Sequence, residues 1–224
     1  MIETPAPLTL KFNDAGLFAS ALTQADISCV QTSTGSIELE LSILRLSGIE
    51  LHFTCIPVGT CVALGKAAPG TRSFHVPLGD CSKLTIMGAK MTPRTFATYG
   101  NGGEQAISAR TGAKLAYLVP APEFYASAAH GHERRGSRGR GSGCEIAQSS
   151  SAGLGRLLQV LEDIARLIES SPDAFAKPAL ARHLQSVLAE LLVISTQHQE
   201  RQPATGRTPL PRGRVIRAID DYLR

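Results

Sequence analysis

The chain has 224 residues, of which 43% are hydrophobic and 19% are charged, and this balance excludes a wholly disordered protein. No apolar run approaches the ~18 residues that cross a bilayer, so a membrane-spanning helix is not expected. The net charge of +4 comes entirely from residues 129–224, because residues 1–128 carry nine basic and nine acidic side chains. The first 128 residues are therefore not expected to bind nucleic acid through their overall charge.

The N-terminus and the cysteines bear on the compartment. The chain begins without a basic segment followed by an apolar stretch, which argues against a secretory signal. The cysteines are odd in number and no pair has C-x-x-C spacing, so neither a disulfide framework nor a zinc ribbon is predicted. We expect a cytoplasmic protein whose cysteines are reduced. These cysteines are Cys29, Cys55, Cys61, Cys81 and Cys144.

Residues 27–120 are predicted to form β structure. Hydrophobic and polar residues alternate over 37–43 and again over 49–55, and the pair Ser47-Gly48 between them indicates a hairpin. Gly and Pro separate further short strands, which are predicted around 60–65, 72–77, 82–88, 105–109 and 114–119. Many short strands favour an antiparallel sandwich or barrel. Upstream, residues 14–25 predict a short helix with Asp14 as its N-cap.

Residues 129–150 are predicted to be a flexible Gly/Arg-rich linker. The run HGHERRGSRGRGSG has five Gly, four Arg and no apolar side chain, so it cannot offset the entropy of ordering. Its arginines could contact phosphates, but no aromatic residue is interleaved for stacking, which favours a solvated tether. His130, His132 and Glu133 resemble the first metal-ligand run of a cupin, but the Glu follows too soon and no strand is predicted there, so no metal site is assigned.

Residues 151–200 predict two amphipathic helices. The first should end before Pro172 and the second should begin near Pro178. Apolar residues recur every three or four positions and predict a helix–helix interface, within one chain or between two. Its expected members are Leu154, Leu158, Leu161, Ile168, Leu184, Leu188 and Leu191. Residues 201–213 are predicted to be a Pro/Arg linker, and residues 214–224 the start of a further helix.

Recognisable catalytic motifs are not found. There is no G-x-S-x-G, no P-loop, and no G-x-G-x-x-G after a strand. No catalytic residue and no cofactor is therefore assigned, and an enzyme is not predicted.

The order of these segments resembles AraC-type transcriptional regulators. The closing run RGRVIRAIDDYLR is similar to the first helix of the family's DNA-binding domain, through Arg214, Ile216, Ala218, Asp221, Tyr222 and Leu223. Residues 43–79 are similar to the family's strand, short turn and strand, followed by a P-G pair and an aromatic residue. The resemblance covers nearly the whole chain.

The resemblance implies an α+β protein. Residues 1–128 would be a cupin-like antiparallel β domain that binds a small effector, and the helices of 151–200 would dimerise the protein. DNA would be read by a helix-turn-helix domain that only begins at 214–224, so we expect a truncated regulator without DNA-binding residues of its own. Phe53, Arg72, Phe74 and His75 are the candidate ligand-binding residues. Two alternatives stay open: a small cupin-type metal-dependent enzyme, and an interaction module that binds no ligand.

Overall fold

The computed structural model describes residues 6–22, 25–100, 102–124, 143–149, 152–197 and 199–201. The strands are β1 (Leu8–Phe12), β2 (Ala25–Gln31), β3 (Glu38–Leu46), β4 (Ile49–Val58), β5 (Cys61–Ala67), β6 (Arg72–Leu78), β7 (Leu84–Ile86), β8 (Ala89–Lys90), β9 (Thr95–Gly100), β10 (Glu104–Ala109), β11 (Lys114–Pro120), β12 (Cys144–Ser149) and β13 (Gln199–Arg201). The α-helices are α1 (Ala15–Ala21), α2 (Ala152–Ser170) and α3 (Pro178–Gln197), and short 3-10 helices lie at Cys81–Lys83 and Pro172–Ala176.

Two antiparallel sheets form the β part. A large sheet has the order β1-β3-β4-β11-β6-β9-β12-β13, and a small sheet has the order β2-β5-β10-β7-β8. The chain is thus α+β, mostly antiparallel β structure with a few helices, as predicted. None of the helices among the described residues is both long and apolar enough to cross a membrane.

The large sheet is buried on both faces. Because successive side chains of a strand point to opposite faces, each strand supplies two cores. Leu41, Ile43 and Leu115 belong to the core shared with the small sheet. Phe74 and Leu118 belong to a second core, into which α2 and α3 pack. The helices therefore cover the outer face of the large sheet within one chain.

The hairpin and the first helix follow local signals. β3 and β4 are joined at Ser47-Gly48, and Gly48 has a φ of +84°, which glycine adopts without strain. Asp14 caps α1 by accepting a hydrogen bond from the Leu17 amide at 2.8 Å. The helix ends at Ala21, earlier than the predicted residue 25, where β2 begins.

The predicted linker 129–150 requires a correction. Its last residues form β12, which pairs antiparallel with β9, so this part of the segment belongs to the large sheet. The sequence signal is weak there, because the strand is short and its partner lies over forty positions upstream. Residues 125–142, with His130, His132 and Glu133, lie outside the described residues, as do 202–224.

A cavity between the two sheets as the candidate functional site

A cavity that is partly open to the surface lies between the two sheets. Its volume is about 70 Å³, and most of its wall is apolar. The small sheet and α1 supply apolar side chains, among them Phe18, Leu22, Ile27 and Ile107. The polar lining residues are His52, Thr54, His75, Gln105 and Tyr117. An apolar pocket with a few convergent polar groups is the usual form of a small-molecule site.

Three aromatic rings form a row across the large sheet. His52 on β4 is the register partner of Tyr117 on β11, and Tyr117 is the partner of His75 on β6. The ring centroids of His75 and Tyr117 are 4.4 Å apart, and those of His52 and Tyr117 are 5.5 Å apart. Tyr99 on β9 packs against His75 from the other side at 4.5 Å. Directly opposite positions on antiparallel strands bring His52, Tyr117 and His75 together, whereas Tyr99 is a diagonal neighbour, two residues beyond the partner of His75.

His75 is buried and neutral. The side chain is 1% exposed, and neither ring nitrogen has a hydrogen-bond partner among the described residues. Burial lowers the pKa of His75 to about 3, and the nearby His52 ring contributes to this shift. An imidazole that stays uncharged keeps one N–H donor and one nitrogen acceptor.

Gln105 brings a second unpartnered polar group to the cavity from the small sheet. Its side chain is 4% exposed, and both atoms of its amide lack a hydrogen-bond partner among the described residues. Burial raises the pKa of Tyr117, and hydrogen-bonding contacts of its hydroxyl with Ser73 and with the Gln105 amide oppose this rise. The contact with Gln105 falls outside the distance and angle of a normal hydrogen bond, so the amide keeps its capacity for a better partner. Unpartnered buried polar groups are uncommon in folded proteins and call for a physical reason.

Glu50 links the cavity to the surface. Its carboxylate accepts a short hydrogen bond from His52 Nε2 and another from Arg45 Nε at 3.0 Å. The bond from His52 is the main cause of the lowered pKa of Glu50, and Arg45 adds to it. Because an ionised carboxylate can only accept, His52 Nε2 is the donor of this bond. The Nδ1 atom of His52 is buried and has no partner among the described residues.

Of the four predicted ligand-binding residues, the structure places only His75 in the cavity wall. Phe53 and Phe74 are part of the core between the large sheet and the helices. The Arg72 guanidinium lies 5.3 Å from the centre of the Phe74 ring, on that same side. Successive side chains of a strand point to opposite faces, so His52, Thr54 and His75 face the cavity and their neighbours Phe53 and Phe74 face the helices.

Among the polar residues of the cavity, the sequence analysis does not predict His52, Thr54, Gln105 or Tyr117. The alternation over 49–55 groups His52 with the polar side chains of its strand, whereas the structure shows it 0% exposed. The predicted hairpin contained a signal for the burial of His52. In that hairpin Ile43 lies directly opposite His52 and is itself a buried core residue, so the two side chains share the buried face. Gln105 gave no signal in the sequence.

The predicted helix–helix interface residues all lie in one core. Leu154, Leu161, Ile168, Leu188 and Leu191 are buried there, and Leu158 and Leu184 pack against it half-buried. This core includes residues of the large sheet, so the two apolar stripes meet each other and the sheet inside one chain. Among the described residues there is no group of three His, Cys, Asp or Glu side chains that could hold a metal ion.

The comparison with solved structures found a similar fold. The crystal structure of the AraC-like transcriptional activator CuxR matches with a TM-score of 0.56 and 10% sequence identity, over 96% of this chain and 79% of that one. At this identity the likeness concerns the fold. No protein-family model matches the sequence, and no curated protein matches it significantly.

Proposed function

We propose that the chain is the effector-sensing and dimerisation portion of an AraC-type transcriptional regulator, with a cupin-like β domain that holds the effector. The observation that carries the proposal is the apolar cavity with unpartnered polar groups at the centre of the β part. Its fold is similar to that of an AraC-like transcriptional activator. The recognised ligand would be a small molecule, because the cavity is small and is lined mainly by apolar side chains with a few polar groups.

The cost of the unpartnered groups supports a binding role. A buried donor or acceptor without a partner costs about 1–3 kcal/mol. His75 and Gln105 together hold four such atoms. A ligand that hydrogen-bonds to them removes part of this cost, so binding stabilises the folded protein by mass action.

The large sheet offers a route from the cavity to the helices. On β6, His75 faces the cavity, while its neighbours Phe74 and Val76 pack into the core with α2 and α3. A ligand that shifts β6 or β11 therefore also changes the surface on which the helices rest. Allosteric coupling of this kind is typically about 1–3 kcal/mol, a five- to 150-fold change in population.

The dimerisation part of the proposal needs another surface than the apolar stripes. The seven stripe residues pack inside one chain, so an interface between two copies would use the outer faces of α2 and α3. Sedimentation velocity of the purified protein tests this part. A dimer at micromolar concentration supports it, and a monomer up to about 100 µM contradicts it.

A thermal-shift screen with small metabolites tests effector binding. At a concentration of 100 Kd, a ligand adds about 2.7 kcal/mol, which should raise Tm by about 5–10 °C for a chain of this size. Ala63→Leu fills the cavity and should abolish the shift. Ala106→Leu is the matched control. Ala106 lies on β10, the strand paired with β5, and on the face of that strand that points away from the cavity.

Two results would contradict the effector-sensing role. If no compound shifts the Tm of the wild-type protein, the interaction-module alternative is favoured. If the purified protein contains stoichiometric iron, manganese or zinc, the metal-dependent enzyme is favoured.

A further inference from the structure

The size of the cavity suits a small ligand. Its volume of about 70 Å³ is enough for several water molecules, and the cavity is partly open to the surface. A single six-membered ring with one small substituent therefore fits.

The charge of the cavity wall limits the ligand further. Among the residues that the structure describes, no Lys, Arg, Asp or Glu lines the cavity. Glu50, the nearest carboxylate to the row of rings, is engaged by His52 and Arg45. An ion in an apolar cavity without an opposite charge loses its hydration without compensation. A carboxylate, phosphate or ammonium group is therefore disfavoured here.

The unpartnered polar atoms specify what the ligand must carry. His75 offers a donor and an acceptor from the large sheet, and the Gln105 amide offers both from the small sheet. A hydroxyl group can donate to one side and accept from the other, and a carbonyl oxygen can accept from both. The apolar side chains at the α1 end of the cavity, such as Phe18 and Ile27, suit the remaining hydrocarbon.

Resting on the proposed function, we infer that the cavity binds a neutral molecule of one ring, with a single hydroxyl or carbonyl group held between His75 and Gln105. The specificity then comes from two residues on opposite sheets. The ligand joins the sheets through hydrogen bonds that the protein alone leaves unmade.

Titration calorimetry at pH 7 with three probes of nearly equal size tests the inference. Benzyl alcohol carries a neutral hydroxyl, toluene has no polar group, and benzoate is charged. If the hydrophobic effect alone determined affinity, toluene would bind most tightly, because it has no polar group that must be removed from water. We expect benzyl alcohol to bind roughly tenfold or more tightly than toluene, and benzoate to show no heat of binding.

Substitutions of the two polar residues should remove this preference. Gln105→Leu and His75→Phe are each expected to weaken benzyl alcohol binding about tenfold and to leave toluene binding unchanged or stronger. Gln159→Leu and His183→Phe are the matched controls, because both residues are exposed on the helices and far from the cavity lining. The controls should keep the wild-type preference.

The outcomes separate this inference from the proposed function. Toluene or benzoate binding as tightly as benzyl alcohol overturns the inference, and so does the absence of binding by all three probes. If a larger or charged metabolite from the screen binds instead and Ala63→Leu abolishes its binding, the effector site stands and only the ligand class is wrong. If no metabolite binds at all, both proposals fail.

Discussion

Lowering the pH from 7 to 5 should destabilise the protein through one side chain, His75. In the folded protein the pKa of this buried imidazole is about 3, against 6.5 for an ordinary histidine. Between these two values the unfolded chain binds a proton and the folded chain does not. The contribution of His75 to the free energy of unfolding is therefore highest above pH 6.5 and falls as the pH is lowered.

The size of the effect follows from the two pKa values. Each pH unit below 6.5 costs about 1.4 kcal/mol, so the loss between pH 7 and pH 5 is about 2 kcal/mol. The Glu50 carboxyl contributes outside this range. Its pKa is lowered from 4.5 by His52 and Arg45, so its contribution is present above about pH 4.5 and is lost only at lower pH.

Urea unfolding at pH 7 and pH 5 measures this effect. The wild-type protein and His183→Phe, which changes an exposed histidine, should lose the same free energy between the two pH values. His75→Phe retains a ring between Tyr99 and Tyr117 and removes the titrating group, so it should lose about 2 kcal/mol less. His75→Leu replaces it if the phenylalanine variant does not fold. An equal loss in the His75 variants and in the wild-type protein would refute the reasoning.

Three further substitutions test the packing around the cavity and the helices. Gly65→Ala should lower the free energy of unfolding by about 1–3 kcal/mol in urea titrations, because the new Cβ would lie 2.3 Å from the Asp26 carbonyl oxygen. Gly155→Ala is the control and should not destabilise the protein, because open space surrounds Gly155. Leu161→Ala should cost about 2–5 kcal/mol by the same assay, since Leu161 is fully buried between helix and sheet, and a loss below 1 kcal/mol would argue against that core. Gln105→Leu should raise the Tm of the unliganded protein, because it removes two buried polar atoms without a normal hydrogen bond, each costing about 1–3 kcal/mol. A lower Tm would show that the contact of Gln105 with the Tyr117 hydroxyl outweighs this cost and would contradict the reasoning.

Local periodicity was enough to predict most of the secondary structure. The alternation over 37–43 and 49–55 became β3 and β4, with the turn at Ser47-Gly48. The three-and-four spacing after residue 151 became α2 and α3. These signals are short in range, because a strand or helix repeats its buried side within a few residues. β12 was missed since its pairing with β9 is set by the rest of the sheet.

The candidate site could not be derived in the same way. Both faces of the large sheet are buried, so hydrophobicity does not tell the cavity side of β4 or β6 from the helix side. Phe53 and Phe74 lie on the helix side of these strands and His52 lies on the cavity side, and a change of one position exchanges the two. Gln105 and His75 line the same cavity only because the small sheet packs over the large one, which no local pattern records.

The most direct measurement of the central claim is an NMR titration with benzyl alcohol that observes side-chain nitrogens. The claim is that a neutral ligand sits between His75 and Gln105, inside the protein. The account predicts that the ring nitrogens of His75 and the side-chain amide of Gln105 shift together and saturate at one ligand per chain, while the ring of His183 stays unchanged. Saturating binding that leaves the signals of His75 and Gln105 in place, or that moves only surface residues, would contradict it.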